Sequence, residues 1–384
     1  MTKMTWRRRA GLAGGLVLAA SIGLGALAWS RSTGDEPPVL GMPEAEVFTE
    51  AYSGPPVAGE FVTPAPLVAP LPAGNRTHDV RIDIVVQDIE VGPGIRYQAW
   101  TFGGTVPGPV LHVRQGDRVR FTMKNRSDER VTVTAPDRGA PLPGGLAALQ
   151  KPAPALFPMP HSMDFHAAMV APDDKWRTIA PGQSIRFEWV ANYPGVYTYH
   201  CGTPPVLQHV AMGQYGVVIV SPRDGFPTDD EIRRAYVLVQ SEFYLKKDAG
   251  SDRFVLDYEA ALRKQPLVVA FNGHQTRHVT APLEAAPGDR VRLYLHNAGP
   301  NDGSSLHVIG TIFDHVWFEG NPRNALRGMQ TVYLGASNGA VVEFVVPEPG
   351  VYTLVDHEFA DATKGAVAQI VAGRARMTTT DMAH

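Results

Sequence analysis

Hydrophobic and polar residues alternate with a period close to two along much of the chain, which is typical of β-strands that bury one face. The alternation is clear over residues 80–86. It returns after Asp117, where Val119, Phe121 and Met123 share one face. Stretches rich in Gly and Pro separate such segments, and long amphipathic helical patterns are scarce. We therefore expect an all-β fold that consists of sandwiches.

The chain contains an internal repeat. The segment QGDRVRFTMKN at 115–125 returns as PGDRVRLYLHN at 287–297, and YPGVYTYHC at 193–201 returns as EPGVYTLVDH at 348–357. The offsets of about 155 to 172 residues indicate one domain type present twice. The second copy keeps a histidine, His357, but no cysteine, so only the first domain has a thiol for binding a metal.

The N-terminus is predicted to be a targeting segment. Three arginines, Arg7 to Arg9, precede the apolar run Ala10–Trp29. This run suits a cleaved export signal, with a hint of twin-arginine export, but it is also long enough to anchor the chain in a membrane. Either outcome places most of the protein outside the cytoplasm.

The predicted organisation follows from these patterns. It comprises a signal peptide or anchor at 1–28, a Pro-rich linker at 29–75, a first domain at 76–222, a hinge at 223–234, a second domain at 235–374 and a tail at 375–384.

Composition narrows the function classes. The chain has 384 residues with a formal net charge of −3, and it lacks the basic stripes that nucleic-acid binding requires. Its single cysteine, Cys201, cannot form an internal disulfide.

The surroundings of Cys201 point to metal binding instead. His209, Met212 and Gln214 follow it, and His161 precedes it. One cysteine, two histidines and a weak axial Met or Gln are the ligands of a blue-copper electron-transfer site.

A second metal site is predicted beside the first. Successive side chains of a strand point to opposite faces, so Cys201 can point into its sandwich while His200 points out. His166 lies in the same upstream loop as His161 and joins His200 on the outer face. Two imidazoles do not complete a copper site, and His357 is the best candidate for the third ligand.

These residues give the chain a resemblance to the copper-containing nitrite reductases, which consist of two cupredoxin domains with Greek-key β-sandwich folds. The resemblance extends from Thr77 to Ala372 and rests on the motifs PHSMDFH, YHC with a downstream histidine, LHVIG and VDH. It implies reduction of nitrite to nitric oxide in the periplasm. It also implies a homotrimer that receives electrons from a small cupredoxin or cytochrome c.

The resemblance also implies roles for individual residues. By this resemblance, type 1 copper is bound by His161, Cys201 and His209. Type 2 copper is bound by His166, His200 and His357, with His357 from a neighbouring subunit. The acid–base residues are Asp164 and His307, and the apolar residue beside the substrate is Ile309.

The chain departs from the family pattern at the axial position. Gln214 aligns where the family has methionine, and Met212 lies two residues earlier. We expect Gln214 to be the axial ligand, although Met212 stays open. The loop from Cys201 to His209 is also one residue shorter than in most of the family.

Two other functions stay open. A laccase-like two-domain multicopper oxidase would need His-x-His pairs for a trinuclear cluster, and the chain has thirteen histidines but no such pair. The other is an exported blue-copper electron carrier without enzymatic activity. Four further histidines, His112, His274, His278 and His296, are expected at the surface.

Overall fold

The computed structural model describes residues 37–62, 71–72, 74–130 and 158–373. The predicted signal or anchor at 1–28, part of the predicted linker and the tail at 375–384 therefore lie outside the described residues. No helix among the described residues is long and apolar enough to cross a membrane.

Strands dominate the described chain, as the alternating pattern predicts. Up to residue 221 they are β1 (Glu46–Thr49), β2 (Val57–Ala58), β3 (Phe61–Val62), β4 (Thr77–Ile82), β5 (Ile84–Gly92), β6 (Ile95–Phe102), β7 (Val110–Arg114), β8 (Arg118–Lys124), β9 (Asp164–Phe165), β10 (Gln183–Val190), β11 (Gly195–His200) and β12 (Tyr215–Ser221). Beyond it they are β13 (Ile232–Phe243), β14 (Leu245–Lys247), β15 (Phe254–Leu256), β16 (Val268–Phe271), β17 (Leu283–Ala285), β18 (Arg290–Asn297), β19 (Ser304–Val308), β20 (His315–Phe318), β21 (Ala325–Leu326), β22 (Val332–Leu334), β23 (Gly339–Val345), β24 (Gly350–Asp356) and β25 (Val367–Ala372).

Helices in the described residues are short and connect strands. They are α1 (Pro172–Lys175), α2 (Val206–Ala211), α3 (Tyr258–Leu262), α4 (Arg277–Thr280) and α5 (Phe359–Thr363), with a 3₁₀ turn at Asp229–Glu231 in the predicted hinge.

The strands form two sandwiches, which confirms the expected fold class. The first sandwich combines the sheets β1-β10-β8-β4-β2 and β3-β7-β12-β11-β9, and the second combines β16-β13-β18-β23-β20-β21 and β17-β25-β24-β19-β22. A four-stranded sheet, β14-β15-β6-β5, joins strands from both halves of the chain. Each sandwich encloses its own hydrophobic cluster, and a third cluster contains residues from both halves.

The sequence repeat corresponds to equivalent strands. In the first sandwich β8 runs parallel to β4 and antiparallel to β10, and in the second β18 runs parallel to β13 and antiparallel to β23. Likewise β11 lies between β12 and β9, and β24 lies between β25 and β19. The repeated segments thus occupy the same positions in two copies of one topology, while the exact domain boundaries stay predictions.

Part of the predicted linker adds strands to sheet edges. β1 pairs with β10, β2 with β4, and β3 with β7, and each of these three short strands lies at the edge of its sheet. The segment therefore lies along the first sandwich without entering its core.

The pattern over residues 80–86 is not one half-buried strand, contrary to our expectation. β4 ends at Ile82, Asp83 interrupts the run, and β5 begins at Ile84 in a different sheet. Asp83 is fully buried, where its carboxylate contacts Arg81 Nε at 2.9 Å and accepts a hydrogen bond from the backbone N–H of Lys124. A buried carboxylate needs such partners, and here they hold the point where the chain passes between sheets.

Candidate metal centres

Three candidate ligands meet inside the first sandwich. Cys201 directly follows β11, His209 lies on α2, and His161 forms an isolated β-bridge with Ile179. Their ligand atoms, one sulfur and two ring nitrogens, all lie within 4.8 Å of one another, and all three residues are fully buried. The structure thus assembles one group that sequence reasoning predicted.

The polar atoms of this group fit a copper ion. Both ring nitrogens of His161, Nε2 of His209 and both amide atoms of Gln214 are buried without a hydrogen-bond partner in the described chain. Burying such atoms unpaired is costly, so their convergence next to a thiol indicates a bound group that pairs with them. Sulfur and imidazole nitrogen are the donors that a blue-copper site uses.

The protonation of the two imidazoles suits metal binding. His209 Nδ1 lies 2.7 Å from the carbonyl oxygen of Thr203, which can only accept, so Nδ1–H donates and Nε2 keeps its lone pair. Burial, with a smaller effect of His209, lowers the pKa of His161 to about 3. Burial also lowers the pKa of His209. Both rings are therefore neutral at pH 7, the form that ligates a metal.

The sulfur of Cys201 is held by hydrogen-bond donors. Burial raises the pKa of this thiol, and donors from Ser162 and Thr203 oppose the shift. The backbone N–H of Ser162 donates to Sγ at 3.4 Å. A thiol that coordinates a metal is deprotonated, and these donors stabilise the thiolate. Sequence reasoning did not identify Ser162 or Thr203, because small hydroxyl residues carry no metal-ligand pattern.

The two axial candidates have different surroundings. Gln214 is fully buried, and both polar atoms of its amide lack a hydrogen-bond partner among the described residues. Met212 packs against Val86 and Trp100 in a small apolar cluster. These surroundings are consistent with the predicted preference for Gln214, although the axial assignment stays a prediction.

Trp100 also covers the histidines of this group. Its ring centroid lies 5.5 Å from that of His161 and 5.0 Å from that of His209, and the residue is only 4% exposed. It therefore excludes water from that side of the group. Trp100 lies on β6, and its neighbours in the sequence give no sign of this position.

A second group lies on the outer face of the same strand end. Asp164, His166 and His200 have ligand atoms within 4.8 Å of one another. His200 is paired with Asp164 across β11 and β9, so their side chains share one face of the sheet. The alternation at His200 and Cys201 therefore directs two adjacent residues into two different groups of side chains.

The outer imidazoles face each other through their Nε2 atoms, 3.1 Å apart. His200 Nδ1 donates to the carbonyl oxygen of Cys201 at 2.9 Å, so in the neutral ring Nε2 carries the lone pair. His166 is exposed in the single chain, but the protein atoms around its ring partly desolvate it, and this effect, reinforced by His200, lowers the pKa of His166 to about 4. Two ring nitrogens that point at a common position can bind a metal ion when both carry their lone pairs.

Asp164 lies beside these nitrogens. One carboxylate oxygen is 3.9 Å from His200 Nε2, and the other, Oδ1, is buried without a hydrogen-bond partner among the described residues. Burial raises the pKa of Asp164, while the nearby His200 opposes this shift. A carboxyl group that is easier to protonate than usual is suited to hold a proton for a neighbouring reactant.

The second sandwich presents a separate histidine pair. His307 on β19 and His357 just after β24 are stacked, with ring centroids 5.3 Å apart and an interplanar angle of 29°. His307 Nδ1–H donates to the carbonyl oxygen of Gln330, which leaves Nε2 available. Within one chain, the described group around His166 and His200 contains neither of these histidines.

Four histidines predicted at the surface are buried, and that prediction is wrong. The exposed fractions are 5% for His112, 3% for His274, 3% for His278 and 0% for His296. His112 lies near Tyr294 of the second sandwich, with ring centroids 6.4 Å apart. The strand face that carries His112 is not solvated, because it packs against the other sandwich.

Comparisons with known proteins agree with the geometry. The profile of a family described as multicopper oxidase matches residues 84–137. A copper-containing nitrite reductase from Neisseria meningitidis serogroup A is 35% identical over 82% of this chain and 75% of the relative. Another from Alcaligenes xylosoxydans is 31% identical over 72% of this chain and 80% of the relative.

The chain belongs to the copper-containing nitrite reductases. A solved structure of this family, the copper nitrite reductase from Nitrosomonas europaea, superposes with a TM-score of 0.63 at 34% identity. The match covers 79% of this chain and 95% of that chain. Membership in the family confirms the resemblance found in the sequence, and the copper-binding character of the family fits the two groups of ligands.

Proposed function

We propose that the protein reduces nitrite to nitric oxide, consuming one electron and two protons and releasing water. The observation that carries this proposal is the pair His200 and Cys201, two adjacent residues that enter two separate groups of metal-ligating side chains. Such a pair links an electron-accepting site to a substrate-binding site through a few covalent bonds.

In this proposal each chain binds two coppers. His161, Cys201 and His209 hold the type 1 copper with Gln214 as axial ligand, and Met212 is the alternative. His166, His200 and His357 hold the type 2 copper. When bound, the first ion supplies one-electron redox chemistry and the second a Lewis-acidic position for nitrite.

The residues around the second site orient the substrate and transfer protons. Asp164 lies beside His200, and its carboxyl group holds a proton within reach of an anion bound between the imidazoles. His307 keeps Nε2 available because Nδ1 is committed to Gln330, so it can relay the second proton. Ile309, 47% exposed near His307, provides an apolar wall that limits how nitrite lies.

The third imidazole comes from another subunit in this proposal. His307 and His357 do not join the His166–His200 group within one chain, so a complete site requires a second copy. Phe359 contacts His357 and is 63% exposed, as expected for a surface that another subunit covers. We propose the homotrimer that the family resemblance implies, with His357 ligating in trans.

The type 1 copper receives its electron from a donor protein, and the enzyme acts outside the cytoplasm. Glutamine oxygen is a harder donor than a thioether, so Gln214 favours Cu(II) and lowers the reduction potential. A small cupredoxin or cytochrome c supplies the electron. The arginines and apolar run at the N-terminus support export, with the enzyme acting in the periplasm or held there by its N-terminal segment.

Electron paramagnetic resonance with copper analysis of the purified protein tests this proposal. Two distinct cupric signals per chain, together with nitric oxide release from nitrite, are the expected result. One signal and one copper per chain would favour the electron carrier. Oxygen uptake with a phenol and no nitrite turnover would favour a multicopper oxidase.

A further inference from the structure

The repeat places a carboxylate in the second domain where the first domain has its thiol. His200 pairs with Asp164 in β11 and β9, and Val355 pairs with His307 in β24 and β19. The residue after each strand position is Cys201 in one copy and Asp356 in the other. Both are fully buried.

The partners of these two side chains also correspond. In the first domain the backbone N–H of Ser162 donates to Cys201 Sγ at 3.4 Å. In the second domain the backbone N–H of Ser305 donates to Asp356 Oδ1 at 2.9 Å. Each serine lies two residues before the acid–base candidate of its domain, Asp164 or His307. The second copy has thus kept the position and replaced a metal ligand with a hydrogen-bond acceptor.

Asp356 connects three parts of the second domain. Its Oδ1 also accepts from the backbone N–H of Glu358 at 2.9 Å, and its Oδ2 accepts from Gln240 Nε2 at 2.7 Å. Gln240 is oriented in turn, because its Oε1 accepts from the hydroxyl of Ser304 at 2.7 Å. Three donors satisfy the buried carboxylate, as its burial requires.

These bonds flank the two stacked histidines, His307 and His357. Glu358 adjoins His357, and Ser305 lies two residues before His307 on β19. The backbone N–H of His357 donates to the carbonyl oxygen of Ser305 at 2.8 Å, which ties the two segments a second time. The carboxylate therefore fixes the separation at which the two rings stack.

We propose that Asp356 is a positioning residue for the type 2 copper site. Its carboxylate clamps His307 and His357 into a preformed pair, which one subunit presents to the His166–His200 group of the next. This inference rests on the proposed function and adds a residue that touches neither metal nor substrate. A pair that is already ordered loses less conformational entropy when the site assembles.

The test exchanges the carboxylate of Asp356 and the amide of Gln240 in the full-length protein. In Asp356→Asn, the new amide N–H₂ would face the Gln240 amide N–H₂. A repulsive contact between two donors then replaces the hydrogen bond between these residues. The double variant Gln240→Glu with Asp356→Asn restores one acceptor for each donor. Asp361→Asn is the matched control, because Asp361 is nearly buried on α5 but bonds Lys364 and not β19.

Hydrogen exchange in the copper-free protein is the first readout. The loss of a hydrogen bond to a charged group changes the equilibrium constant for local opening by about tenfold. We expect amide exchange at Ser305 and Glu358 to become about tenfold faster in Asp356→Asn, and to return close to wild type in the double variant. The control should match wild type. Unchanged exchange in Asp356→Asn would overturn the clamp.

The second readout separates positioning from general stability. Asp356→Asn should weaken type 2 copper retention by about tenfold and alter its paramagnetic signal, while the type 1 absorption stays unchanged. The double variant should restore both. A normal type 2 signal in Asp356→Asn would overturn the proposal, and so would equal loss of both coppers. If the wild type itself lacks a type 2 signal or nitrite turnover, the proposed function fails instead.

Discussion

The ends of β11 and β24 differ in chemistry although they are equivalent in topology. β11 ends with the imidazole of His200, and the thiol of Cys201 follows on the opposite face and belongs to another group. At the end of β24, a carboxylate occupies the thiol position and the imidazole of His357 follows it. Both strands end beside a short strand that carries an acid–base candidate, Asp164 in one domain and His307 in the other.

The two sandwiches have the same topology, but the same buried position has a different role in each. The sandwich determines where a side chain after the strand lies and that it is buried. The residue type then decides whether the buried position binds a metal, as we propose for Cys201, or holds the backbone, as we propose for Asp356. In the proposed site, Asp164 and His307 are equivalent residues of two domains that meet across a subunit interface.

The largest effect is expected from removing the thiol that distinguishes the two strand ends. Cys201→Ser replaces a soft thiolate with a hydroxyl that stays protonated, so the type 1 copper and its blue absorption should be lost. Nitrite turnover with a protein donor should fall by at least about 10³-fold. Optical spectra and copper analysis provide the check. A retained blue band would contradict the ligand assignment, because the chain has one cysteine.

The next largest effect is expected at the histidine of the second strand end. His357→Ala should empty the type 2 site and leave the type 1 absorption intact, because the two groups are separate within the chain. Turnover should fall by about 10³-fold or more. Copper analysis and paramagnetic resonance measure the outcome, and the blue band is an internal control for folding. Full retention of both coppers would remove His357 from the ligand set.

A smaller effect is expected from changing the acid–base residue of the first domain. Asp164→Asn keeps the size of the side chain but cannot donate an acidic proton, so turnover should fall by about 10²-fold, the low end of the contribution of general acid–base catalysis. Both copper signals should stay as in the wild type. The control is Asp173→Asn, because Asp173 is an exposed carboxylate of α1. Turnover of Asp164→Asn equal to that of the control would exclude Asp164 from the mechanism.

The smallest effect is expected at the axial position, where the second domain has the apolar residue Ala366 in place of Gln214. Gln214→Met exchanges a hard oxygen donor for a thioether, which should keep the copper and favour Cu(I). At a fixed electrode potential, the ratio of reduced to oxidised type 1 copper should rise about tenfold, equivalent to about 59 mV for one electron. Potentiometric titration measures this shift. An unchanged midpoint would show that Gln214 is not the axial ligand.

Much of the fold and of the candidate site follows from the amino-acid sequence. The period of two along the chain predicts strands because side chains alternate across a sheet, and the repeat predicts two sandwiches. His200 and Cys201 point to two metal sites because neighbours on a strand face opposite ways. These inferences succeed because each depends on local backbone geometry or on the chemistry of the residue type.

Only the tertiary structure decided what packs against each strand. His296 and three other histidines are buried because their polar faces meet other parts of the protein, and Asp83 ends a strand that the pattern continues. Trp100 over the histidines and Asp356 between β13, β19 and β24 depend on contacts between residues far apart in the chain. Such contacts arise from the packing of whole sheets, and the order of residues along one strand does not encode them.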